Sequence, residues 1–150
     1  MRCGITTLGV VAACSAWANG QQCAQWIERD DVFVISSPSP QAVYDSTRDR
    51  VVGLFFTPTD MYTGEWDGQA WEFLDVGWPP VPRSRTNMAY DSWRGVTVHF
   101  GGNAEWMDDT WEWDGAAWRF VPVSGPSSRE SHAMAFDSWR GVTVLIISGD

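Results

Sequence analysis

Apolar residues in this chain come in short runs cut by Asp, Ser, Gly and Pro, a pattern of short antiparallel strands rather than of helices. One such pair of runs, with its loop, is Ala89-Tyr90-Asp91-Ser92-Trp93-Arg94-Gly95-Val96-Thr97-Val98, and it returns as Ala135-Phe136-Asp137-Ser138-Trp139-Arg140-Gly141-Val142-Thr143-Val144. Tyr90 and Phe136 stand 46 positions apart, and Tyr44 stands 46 before Tyr90 within Val43-Tyr44-Asp45-Ser46-Thr47-Arg48, so the unit occurs three times. The middle copy is expected to form strands at 86–91, 96–100, 110–113 and 117–121. Strands are expected at 42–44, 51–56, 64–66 and 70–74 in the first copy, and the third carries only the first two of the set.

The turns support this division. Asp91 can cap its own loop through an Asx-turn, and Gly95 takes a positive φ without a Cβ penalty. Gly101-Gly102 marks a close approach of neighbouring backbone, and Asp114-Gly115 and Asp67-Gly68 are two-residue hairpin signals. Trp66 and Trp71 match Trp113 and Trp118 at a shift of 47. A repeat of this length points to a β-propeller or a similar array. The fold class expected is all-β, with about two and a half to three four-stranded antiparallel blades over 41–82, 83–127 and, in part, 128–150. Such an incomplete array leaves one apolar face uncovered and an unpaired edge at Val142-Thr143-Val144-Leu145-Ile146-Ile147. The expectation is a fragment, a truncated frame or a subunit that needs further blades or self-association.

Residues 1–18 read as a signal peptide: Met1-Arg2, an apolar run from Gly4 to Ala13, and Ala16-Trp17-Ala18 as a small-x-small cleavage site. Val11-Ala12-Ala13-Cys14 offers a second reading, a lipoprotein acylated at Cys14. Export is expected either way. Residues 19–40 read as an N-terminal strand, 30–35, and the linker Ser36-Ser37-Pro38-Ser39-Pro40. Cleavage after Ala18 leaves Cys23 as a single thiol, so the fold must rest on packing rather than on disulfides. The formal net charge of −9 disfavours nucleic acid and anionic lipid surfaces, and no run is long enough to span a membrane. Eleven Trp, most at equivalent places in the repeats, suit the space between stacked sheets.

In the middle copy, Arg83 or Arg85, Asp91, Gly101-Gly102, Trp113 and Trp118 follow one another in an order that resembles kelch-type β-propellers, most closely the tryptophan-rich variety of exported bacterial proteins. The resemblance covers about Pro40 to the end. Four residues separate Trp113 from Trp118, fewer than is usual in kelch repeats, and Thr57-Pro58 and Ile147-Ser148 stand near the diglycine position of the outer copies. What it implies is a binding or structural scaffold. The alternative is part of a propeller enzyme, an oxidase or a sugar-processing enzyme, whose catalytic residues lie outside this chain.

The residues themselves show no catalytic constellation and call for no cofactor. His99 and His132 lie in different copies without a metal-ligand partner, Tyr62 and Cys23 match no copper motif, and Ser131-His132 lacks a nucleophile elbow. Glu105, Asp108 and Asp109 form an acidic loop without the spacing of a calcium site. The candidate ligand contacts are therefore loop residues: Trp93 and Trp139 at matching hairpin tips, and Trp106 with Asp108 and Asp109 in the longest loop, all suited to a protein or glycan partner.

Overall fold

A computed structural model describes residues 10–18, 21–29, 40–56, 60–77, 80–103 and 107–147, and every regular element among them is a β-strand in an antiparallel sheet. The chain divides into two compact units, Met1–Val34 and Ile35–Asp150. In the first, β1 (Val10–Ala18) pairs with β2 (Gln21–Arg29) from Val10↔Arg29 to Ala18↔Gln21. Val10–Ala18 falls in the segment that reads as a leader; the expected strand at 30–35 and the Ser-Pro linker up to residue 39 lie outside the described residues.

Among the described residues the second unit shows three sheets. The first runs β3 (Gln41–Asp45), β4 (Arg50–Phe56), β5 (Met61–Trp66), β6 (Trp71–Leu74), and the second β7 (Asn87–Asp91), β8 (Val96–Phe100), β9 (Thr110–Trp113), β10 (Trp118–Val121), each in simple meander order. The third is the hairpin β11 (Ala133–Asp137) and β12 (Val142–Ile146). The three inner hairpins share one register: Tyr44↔Val51, Tyr90↔Thr97 and Phe136↔Thr143 are paired residues.

That register corrects two details. The partners of Gly101 and Gly102 in the first repeat are Phe55 and Phe56, not Thr57-Pro58. Both glycines take positive φ, at 68° and 121°, which stops the ladder after Phe100, whereas Phe55 and Phe56 continue it to Tyr62 and Met61. Strand β5 therefore starts three residues before the expected position. The second correction concerns the outer turns, which are four-residue loops with Trp66↔Trp71 and Trp113↔Trp118 as closing pairs. Asp67 Oδ1 accepts from the amides of Gln69 and Ala70, and Asp114 Oδ1 from those of Ala116 and Ala117, so the aspartate side chain shapes each loop together with Gly68 and Gly115, which take positive φ.

Strand alternation then decides what is buried. On the face of the first sheet that meets the second, Val52, Leu54, Phe56 and Met61 pack against Met88, Trp113 and Trp118. Removing side chains of this size from water contributes roughly 1.5–3 kcal/mol each. The two indoles also bond across the gap, Trp118 Nε1 to Thr63 Oγ1 at 2.8 Å and Trp113 Nε1 to Glu65 Oε1 at 3.0 Å. Their rings stand 5.6 Å apart, close to the 6.0 Å of Trp66 and Trp71 on the first sheet. As the diglycine suggests, a neighbouring backbone comes close there: Gly102 N–H donates to Arg129 O at 3.0 Å.

Candidate functional site

The hairpin tips are built alike. In each, the Asp that ends the first strand accepts from two loop amides, Thr47 and Arg48 on Asp45, Trp93 and Arg94 on Asp91, Trp139 and Arg140 on Asp137. The arginine three residues on returns to that carboxylate in every copy. In the first two it also reaches a strand glutamate, Arg48 to Glu65 at 2.5 Å and Arg94 to Glu112 at 2.6 Å. Burial alone would raise the Asp91 carboxyl, but bonds from Arg94 and the loop amides hold it below its ordinary range, and the Arg140 bond does the same for Asp137. Fixed charges and donors thus make the tips rigid.

In the first two tips the second loop residue meets the next repeat. Thr47 Oγ1 accepts from Tyr90 OH at 2.7 Å, and the Trp93 ring lies edge-on to Phe136 at 6.4 Å. Trp93 is thus an inter-repeat contact whose other side stays exposed. Trp139 meets no following repeat among the described residues; it is 81% exposed, with the Arg140 guanidinium 4.9 Å from its ring centre.

The same step explains an apolar face on the third hairpin. Hairpin β11–β12 alternates strictly: Met134, Phe136, Thr143 and Leu145 are half-buried, whereas Ala133, Ala135, Val142, Val144 and Ile146 are exposed. Paired residues show that the exposed set forms one face, Ala133 beside Ile146 and Ala135 beside Val144. At the same face the earlier repeats bury Val52 and Leu54, and Ala89, Val98 and Phe100. Val52, Val98 and Val144 occupy one position in three repeats and are 0%, 7% and 40% exposed.

The other sequence candidates lie apart from this face. Asp108 and Asp109 sit in the β8–β9 loop, at the opposite end of the second sheet from the Trp93 tip. Asp109 binds Arg83 through both carboxylate oxygens and accepts from Trp111 Nε1 at 2.6 Å. Burial would raise its carboxyl, yet these bonds lower it overall. Asp108 is exposed, and Trp106 lies outside the described residues. An open groove of about 600 Å³ runs along the first sheet between Tyr62, Phe73, Leu74, Asp75, Pro80 and Val81. Among the described residues no three His, Cys, Asp or Glu side chains are grouped to hold a metal, and no helix is long and apolar enough to cross a membrane.

His99 is buried against Trp118, and neither ring nitrogen has a protein partner. Burial, followed by the positive charge of Arg83, pushes its pKa down to about 3; burial and Arg129 also lower His132. Both pKa values lie below that of an unfolded histidine, so the folded protein binds fewer protons. Stability is full above about pH 6.5 and falls as pH drops toward 3, by up to about 1.4 kcal/mol per pH unit for His99. Urea denaturation at about pH 7.5 and pH 5 should show this loss, and His99→Leu, which installs the residue found at the equivalent position 145, should flatten it.

Among the described residues, fold and site together define an all-β arrangement of repeated antiparallel hairpins, the third with an exposed apolar face. Comparison of the chain with known protein families and with curated proteins finds no match.

Proposed function

We propose that the chain is an exported, non-enzymatic scaffold of the kelch-like propeller type, its sheets acting as blades, and that it binds a protein through the open face of its third hairpin. One observation carries this: Ala133, Ala135, Val142, Val144 and Ile146 are exposed on the face where the preceding repeats bury Val52 and Leu54, and Ala89, Val98 and Phe100. A contiguous apolar patch of this kind marks a surface that another protein covers. Trp139, a large rigid ring at its rim, suits an anchoring contact. The leader-like residues 1–18 support export.

Binding of the purified protein to arrays of exported proteins and of glycans tests this reading. The expected result is protein ligands whose signal drops at least about tenfold with Val144→Asp and with Trp139→Ala, while thermal stability moves little because both sites are exposed. Ligands that bind both variants as well as the parent, or glycan ligands alone, would overturn it.

A further inference from the structure

The contact between the second and third repeats has a steric condition. Trp93 lies over the fourth loop residue of the next hairpin, Gly141, so closely that a Cβ there would run into three atoms of the indole ring. Gly141 has φ 68°, and the equivalent Gly95 has φ 70°. The preceding repeat has Thr47 at the position of Trp93, and a Cβ at Gly95 would meet only the Tyr90 hydroxyl, at 3.9 Å. A tryptophan at the second loop position therefore packs closest over a glycine at the fourth position of the hairpin it covers, since a Cβ there would push the indole outward.

The first hairpin breaks this condition. Its fourth loop residue is Asp49, held at φ 55° in the same left-handed region, so its Cβ projects where the missing Cβ of Gly141 would. Its carboxylate is also engaged: Tyr44 OH donates to Asp49 Oδ1 at 2.6 Å. The equivalent Tyr90 hydroxyl instead reaches across to the preceding repeat. Tyr44 is 54% exposed, yet its polar end is turned back onto its own loop.

A second copy of this chain is the obvious cover for the Trp139 face, because its first hairpin carries the same aromatic-Asp-Ser-x-Arg plan as the hairpin that Trp93 covers. Stacked head to tail in the observed register, Trp139 of one copy would fall on position 49 of the next. We propose that Asp49 weakens this self-association, because its Cβ would displace the Trp139 ring, and so favours on the Trp139 face a partner β-hairpin with glycine at its fourth loop position. Head-to-tail contacts of this type do not stop at two copies, so one side chain at the meeting point disfavours rings or fibres. The proposal rests on the open face being a docking surface, but its test does not depend on finding the natural partner.

Sedimentation equilibrium of the whole protein reads the effect, with Asp49→Gly as the probe that converts the first hairpin into one Trp139 can cover. Asp49→Gly should raise the concentration-dependent mass to at least about twice that of the parent, and adding Trp139→Ala should return it to the parent value. Asp49→Asn, which keeps the Cβ but removes the charge, should behave as the parent. The idea is overturned if Asp49→Gly leaves the mass unchanged, if its assembly survives Trp139→Ala, if Asp49→Asn assembles equally, or if the parent already assembles through Trp139. Array binding that fails while Asp49→Gly assembles would remove the natural partner and leave the steric block standing.

Discussion

Trp113→Ala should destabilise the protein by about 3–5 kcal/mol, the range for deleting a fully buried large aromatic, measured as a fall in the urea midpoint at unchanged slope. The ring belongs to the cluster that holds the first sheet to the second, with Trp118 5.6 Å away and Val52 and Leu54 on the facing strand. Packing accounts for most of the loss. Glu65, which accepts from the indole, keeps its bond to Arg48, so no carboxylate is left without a partner. Trp113→Phe should accordingly recover all but about 1–2 kcal/mol. A loss under about 1 kcal/mol for the alanine variant would mean that the two sheets do not share a core.

Arg83→Ala should cost a similar 3–5 kcal/mol through a different cause. The Arg83 side chain is 1% exposed; it donates to the carbonyls of Val81 and Gly101 and to both oxygens of Asp109. Its removal leaves two carbonyls short of a donor and a half-buried carboxylate with only the Trp111 indole. The double variant Arg83→Met with Asp109→Leu should be markedly more stable than Arg83→Ala alone, since removing both charges costs less than stranding one. Equal losses would show that the charges are not coupled.

These two residues show how unevenly the fold was written in the sequence. Asp91-Ser92-Trp93-Arg94-Gly95 declares its hairpin, because capping, positive φ and strand alternation are local properties. Strand positions and the three-fold repeat were legible for that reason. The partners of Trp113 and Trp118 are 48 and 55 residues away, and only stacking of the sheets shows which face each indole takes. Asp109 reads as a solvated loop acid until the fold brings Arg83, 26 residues earlier, against it. Trp93 and Trp139 share one local sequence, and among the described residues only Trp93 has a further hairpin to meet. The open face of β11–β12 was foreseeable from the incomplete third repeat, whereas the obstruction at Asp49 needed the Trp93–Gly141 contact as a template.

Cysteine accessibility at positions 52, 98 and 144 tests the stacking of three equivalent hairpins most directly. With Cys3, Cys14 and Cys23 changed to serine, Val52→Cys and Val98→Cys should react with a maleimide only as fast as the protein unfolds, and Val144→Cys at nearly the rate of a free thiol. Equal rates at the three positions, or a fast reaction at position 52, would contradict the stacked arrangement and the open face that follows from it.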